Sequence, residues 1–168
     1  MLRVLVPSDG SPDSQYGVRH AIREFLKTRD LEIHVINMQL PFSKYISRFV
    51  SRRNQIAFHQ EQAEKALEPV RQALDGSGIP YTVHTGVGDK ANGIAEAAQR
   101  LRCDRIVIGT ARKSALLRFV GDSLCNRVIE RAKVPVEVIA GGKASNLERV
   151  GVPAGIGTGL LVLWMAAD

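Results

Sequence analysis

The sequence predicts an α/β fold: a five-stranded, parallel, doubly wound open sheet with helices on both faces, followed by an apolar, glycine-rich C-terminal tail. Three observations predict it. Five short apolar runs, rich in β-branched residues, alternate with segments whose apolar residues recur at helical spacing. Strands alternating with helices in this way pack as helices on both faces of a parallel sheet. Each β-α-β crossover is right-handed almost by rule, which makes consecutive strands parallel. A chain of 168 residues, 45% hydrophobic and 24% charged, has the size and composition of one soluble globular domain with a single buried core.

The first strand is Leu2–Val6, and Pro7-Ser8-Asp9-Gly10 turns at its carboxyl end. Ser11 is an expected N-cap, with Pro12 at the first helical position and Asp13 favourable to the helix dipole. Tyr16, Val18, Ala21, Ile22, Phe25 and Leu26 give that helix one apolar face to about Lys27. Leu31–Asn37 is the second strand. Residues 38–53 break the rhythm with Pro41, three aromatics and four basic residues; Lys44, Arg48 and Arg52 recur every four residues, one stripe on a continuous helix. The stripe reads either as a solvated face or as a lid or anion-steering patch. A long helix then runs to about Leu74, with Pro69 a candidate bend, and Asp75-Gly76-Ser77-Gly78 stops it.

Tyr81–Thr85 alternates as a third strand, and Asp89 caps the next helix, whose apolar face is Ile94, Ala97, Ala98 and Leu101. Gly86-x-Gly88 opens like a dinucleotide fingerprint, but Ala91 holds the third glycine position and any tight βα turn looks similar. Arg105–Ile108 is the fourth strand, ended by Gly109. A basic loop leads to a helix opening near Asp122-Ser123; Pro135 stops it and Val136–Ile139 is the fifth strand. The domain thus spans 1–140, and 141–168 is a linker and tail. Gly151–Ala167 is uncharged but carries Pro153 and four glycines, too broken for the roughly 20 apolar residues of a membrane span. Docking on its own or a partner's core is the preferred reading of this tail; membrane association and a mobile end are the alternatives.

Composition excludes little else. A net charge of +6, from 23 Lys and Arg against 17 Asp and Glu, is too small and dispersed to argue for nucleic acid, and none is expected as a partner. The N-terminal apolar run is too short for a secretory signal, so a reduced cytoplasmic compartment is the expectation. Cys103 and Cys125 share no metal-ligand spacing and read as core fillers. His34 and His84 lie within strands, where a satisfied histidine outweighs a general base. Walker, zincin and nucleophile-elbow motifs are all missing, and nothing supports a nucleophile–base–orienter set, so the expectation is a protein that is not an enzyme. Asp9 sits directly after the first strand, where a carboxylate reaches a ligand hydroxyl or Mg²⁺ or, equally, closes an Asx-turn on its own backbone.

The pieces RVLVPSDGS, LEIHVIN, TGVGDKANGIAEAA, CDRIVIGT and DSLCNRVIERAKVPVEVI, in this order and spacing from Leu2 to Ile139, resemble the universal stress protein family. The resemblance implies a universal stress protein, adenine nucleotide alpha hydrolase-like sheet. It also implies a homodimer paired through the last strand, here Val136–Ile139. Nucleotide-binding members carry Gly-x-x-Gly, nine residues, then Gly-Ser or Gly-Thr, so that backbone N–H groups close on phosphates at a helix start. Gly109 and Ser123 match that pattern, with Leu124 following in the helix, while Arg112 and Asp122 stand where the second and third glycines belong. Pro7, Ser8, Asp9 and Val35 match the positions that hold the adenine and ribose end.

The two departures pull in opposite directions. The Arg112 guanidinium is bulky but itself binds phosphate. Asp122 is a good N-cap, yet it sets an anion where a phosphate would sit. Two unit charges at about 4 Å repel by roughly 4 kcal/mol at an effective dielectric near 20, about three decades in affinity. Bridging Mg²⁺, held by Asp9 and Asp122, would offset this. The expected function is therefore a stress-response regulator with a degenerate loop and weak or absent ATP binding. The alternative is a nucleotide-dependent sensor binding ATP with Mg²⁺, and a weak ATPase is the third reading.

Overall fold

A computed structural model describes residues 1–111 and 123–141. The elements run β1 (Leu2–Pro7), α1 (Ser14–Thr28), β2 (Leu31–Gln39), α2 (Lys44–Ser47), α3 (Arg52–Asp75), β3 (Tyr81–Val87), α4 (Lys90–Arg100), β4 (Arg105–Ala111), α5 (Leu124–Arg131) and β5 (Val136–Gly141). All five strands pair in parallel, in the order β3-β2-β1-β4-β5. The order reverses direction between β1 and β4, the topological switch point beyond whose strand ends open α/β sheets bind ligands.

Strand alternation divides the core into two layers. Val4, Val6, Ile33, Val35 and Val107 face α1 and α3, where they meet Val18, Ala21, Phe25, Leu67, Val70 and Leu74. Leu5, Ile36, Ile106 and Ile108 face α4 and α5, where they meet Ala91, Ile94, Ala97, Ala98 and Val128. Leu26, expected on the buried face of α1, is exposed, because Phe25 beside it already fills the core position. The helix α3 continues through Pro69 to Asp75.

The strands run further than their apolar pattern. β4 continues through Gly109 to Ala111 because Gly109, Thr110 and Ala111 keep the ladder with Ile139, Ala140 and Gly141. The expected basic stripe does not form: α2 ends at Ser47 and α3 starts at Arg52, so Lys44, Arg48 and Arg52 share no continuous helix. The cause is a second N-cap, Ser51, whose hydroxyl accepts from Asn54 N–H at 3.2 Å and restarts the chain. Arg112, Asp122 and the tail Gly151–Ala167 lie outside the described residues.

Candidate functional site

The crevice at the β1/β4 switch point is a cleft of about 290 Å³, near the lower end of small-molecule sites. Its walls come from the turn after β1, the start of α1, the ends of β2 and β4, the first residue of α4 and the start of α5. Pro7, Ser8, Asp9, Gly109, Ser123 and Leu124, all expected site residues, line it together.

The β1 turn is locked by its own polar groups. Ser8 is buried; its N–H donates to Ile36 O at 2.9 Å, and its hydroxyl is 2.9 Å from that of Ser14. The Ser8 carbonyl accepts from Asn37 Nδ2 at 2.8 Å, and Gln39 Nε2 donates to Asn37 Oδ1 at 3.1 Å. Gln39 Oε1 in turn accepts from His59 Nδ1 at 2.8 Å, so the network ties the cleft floor to α3. Asp9 Oδ1 accepts from Ser11 N–H at 3.0 Å, which is the Asx-turn. Burial works to raise the Asp9 pKa, but the hydrogen bonds from Ser11 and Ser14 outweigh it and hold this carboxyl below its ordinary value. Gly10 follows at φ +80, and a Cβ there would stand 2.7 Å from the Ala66 carbonyl oxygen of α3, so a side chain has neither the conformation nor the space. Ser11 Oγ accepts from Ser14 N–H at 3.2 Å in the turn that leads into α1, but the N-cap residue is Asp13, whose side chain makes no capping bond, so the helix starts later than expected.

Ser123 opens α5 as its N-cap, accepting from Asn126 N–H at 3.2 Å. This helix start is fixed from the side: Arg127 pairs with Asp89, which also caps α4 by accepting from Asn92 N–H at 2.9 Å. The Asn92 hydrogen bond and the Arg127 guanidinium together hold the Asp89 carboxyl below its ordinary pKa. Gly109 has a reason apart from any phosphate. A Cβ there would meet the carbonyls of Asp13 and Ser14 and the Gly17 nitrogen, so α1 starts in direct backbone contact with β4.

Val35 is placed elsewhere. Its side chain is fully buried in the α1/α3 layer, outside the cleft lining; Ile36 and Met38, one alternation away, supply the β2 part of the wall. Lys90, the first residue of α4, is a lining residue that the motifs did not point to. It is half-buried, lines the cleft beside Asp9, forms no ion pair among the described residues, and is the cation among the described lining residues. Its signal in the sequence was positional: it directly follows the Asp89 N-cap at the carboxyl end of a strand. Cys103 is the core filler expected, with burial pushing its thiol pKa up to about 11, and half-buried Cys125 packs against the same core layer while also lining the cleft. His34 and His84 satisfy each other across β2 and β3 at 3.0 Å, and His34 reaches Glu32 at 3.1 Å. No group of three or more metal-ligating side chains occurs among the described residues, so a Mg²⁺ ion here would draw on Asp9, water and ligand oxygens. Among the described residues no helix is long and apolar enough to cross a membrane.

The chain is similar to known proteins along nearly its whole sheet. A universal stress protein of Methanocaldococcus jannaschii is 29% identical over 143 residues, which cover 82% of this chain and 81% of that one. A solved universal stress protein family protein from Arabidopsis thaliana, with AMP bound, superposes with a TM-score of 0.61 at 16% identity, over 84% of this chain and 93% of that one. The universal stress protein of Archaeoglobus fulgidus in complex with dAMP gives 0.58 at 22% identity, over 83% and 98%. At those identities the superpositions establish the fold. The sequence profile of the universal stress protein family matches residues 1–140, and the chain belongs to that family.

Proposed function

We propose that this protein is a regulatory, non-catalytic universal stress protein whose cleft takes an adenine nucleotide weakly, with the nucleoside end held better than the phosphates. The observation that carries this reading is Lys90: a half-buried lysine lining a cleft at the topological switch point, without an ion-pair partner among the described residues. A phosphate oxygen would give this cation a charge-assisted hydrogen bond. Solved relatives hold AMP and dAMP, which supports an adenine nucleotide as the ligand class. Pro7, Ser8 and Asp9 form a rigid turn at the cleft edge, and Asp9 keeps one carboxylate oxygen for a ribose hydroxyl or a nucleotide-bound Mg²⁺. In sequence Asp122 directly precedes Ser123, and an anion next to a phosphate lowers its affinity, which is why the proposed binding is weak. The reading includes a homodimer through Val136–Ile139: β5 is a sheet edge with Val138 exposed.

Titration with a fluorescent ATP analogue, with and without Mg²⁺, tests this. Dissociation constants of roughly tens of micromolar or weaker are expected, tighter with Mg²⁺. Nanomolar affinity would sink the weak-binding reading, and no binding at millimolar nucleotide would sink the site itself. Phosphate release above the buffer rate would overturn the non-catalytic assignment.

A further inference from the structure

Between Glu32 and Glu61 the chain carries no acidic side chain, while Lys44, Arg48, Arg52 and Arg53 fall within it. All four are exposed, and none forms an ion pair among the described residues. The same stretch displays Leu40, Tyr45, Ile46, Phe49, Ile56 and Phe58 to solvent, and Tyr45 and Phe49 are 74% and 76% exposed. Elsewhere the described chain buries its aromatics or leaves them half-covered, so this concentration stands apart.

The segment is built, not frayed. Ser43 caps α2 by accepting from Ile46 N–H at 3.3 Å, and Ser51 caps α3. Gln55 Nε2 donates to the carbonyls of Ser47 and Val50 at 3.2 and 2.8 Å, which holds the elbow between the helices. Phe42 anchors the approach against Phe58 and His59, with ring centroids 5.1 and 5.0 Å apart. Tyr45 of α2 and Phe49 in the turn after it meet edge to face at 5.5 Å, a paired and exposed wedge.

We propose that the α2–α3 elbow is a docking surface for an anionic lipid bilayer. Its charge decides between occupants. A second copy docked by this face would set Lys44, Arg48, Arg52 and Arg53 against their own equivalents. Rings that project from the surface suit the headgroup boundary, where aromatic side chains concentrate, and flanking Lys and Arg reach the lipid phosphates while their stems lie in apolar surroundings. Juxtaposed cations near an anionic leaflet each add to the attraction, which fades beyond a Debye length. The docking is peripheral and salt-sensitive.

The test is co-sedimentation of the full chain with vesicles of phosphatidylcholine containing about one third phosphatidylglycerol, against pure phosphatidylcholine. The protein should pellet with the anionic vesicles and be released by high salt. Lys44→Glu/Arg48→Glu should weaken partitioning about thirtyfold or more. Tyr45→Ser/Phe49→Ser should weaken it about tenfold or more with unchanged circular dichroism, since both rings are exposed. Failure of the unaltered protein to pellet, or equal pelleting with neutral vesicles, would overturn the proposal. Unchanged partitioning of both double variants would also overturn it and assign binding to another part of the chain. A concentration-dependent rise in mass abolished by Tyr45→Ser/Phe49→Ser, without vesicle binding, would give the face to a second copy.

Discussion

Gly17 of α1 lies against Gly109 of β4: a Cβ at Gly17 would stand 2.8 Å from the Gly109 nitrogen. The glycine that marks the first position of the family's phosphate loop is thus also the seat of the first helix. Its presence is explained by packing before any ligand is considered. Both neighbours of the added atom are backbone, which cannot swing aside. Gly17→Ala is therefore expected to cost about 1–3 kcal/mol, and Gly109→Ala at least as much. For a chain of this size that is a fall of roughly 3–10 °C in melting temperature by calorimetry.

Lys90 separates ligand binding from stability. A charge-assisted hydrogen bond to phosphate contributes about 1.5–3 kcal/mol, so Lys90→Ala should weaken nucleotide binding at least tenfold in a titration. The same residue sits at the positive end of the α4 dipole, where a cation is disfavoured by a few tenths of a kcal/mol. The variant should therefore melt no lower than the parent. Equal nucleotide affinity in both proteins would remove Lys90 from the site.

Asp89 serves two ends of the cleft wall, capping α4 and pairing with Arg127 of α5. Asparagine keeps the capping oxygen and loses the charge; alanine loses both. The expected order of melting temperature is parent, Asp89→Asn, then Asp89→Ala. An equal loss for both variants would assign the whole effect to the ion pair.

His84 makes stability depend on pH. Burial, His34 and Arg100 hold the His84 imidazole below its usual pKa of 6.5. Below that pH the unfolded chain binds more protons here than the folded one, so stability falls as pH drops from about 6.5 through the folded value. Thermal melts between about pH 7 and pH 5 should slope downward, and His84→Gln should flatten the slope. The Asp9 carboxyl, held low, acts in a separate window: its contribution is present above its unfolded value of 3.8 and is lost below it.

At the sheet edge, Val138→Lys on β5 should turn a dimer into a monomer by light scattering, because two copies meeting there would oppose like charges. An unchanged mass would place any dimer contact elsewhere.

The sequence by itself determined the number, order and type of the strands, the helix start at Asp89, the last helix start to within a residue at Asp122-Ser123, the stop at Gly76 and the family. These follow from local chemistry: alternation, capping side chains and chain breakers act within a few residues. Tertiary structure alone decided which residues share the cleft. The family resemblance put Val35 at a binding position, but its side chain turns into the core, because alternation along β2 sends Ile36 and Met38 to the other layer. Lys90 carried no motif; parallel pairing of β2 with β3 brings the start of α4 over the end of β2 and into the cleft. The basic residues at 44, 48 and 52 have helical spacing, yet two competing caps, Ser43 and Ser51, bend the chain between them. The start of α1 and the end of β4 meet only because Gly17 and Gly109, far apart in the sequence, lack the side chains that would hold the two backbones apart.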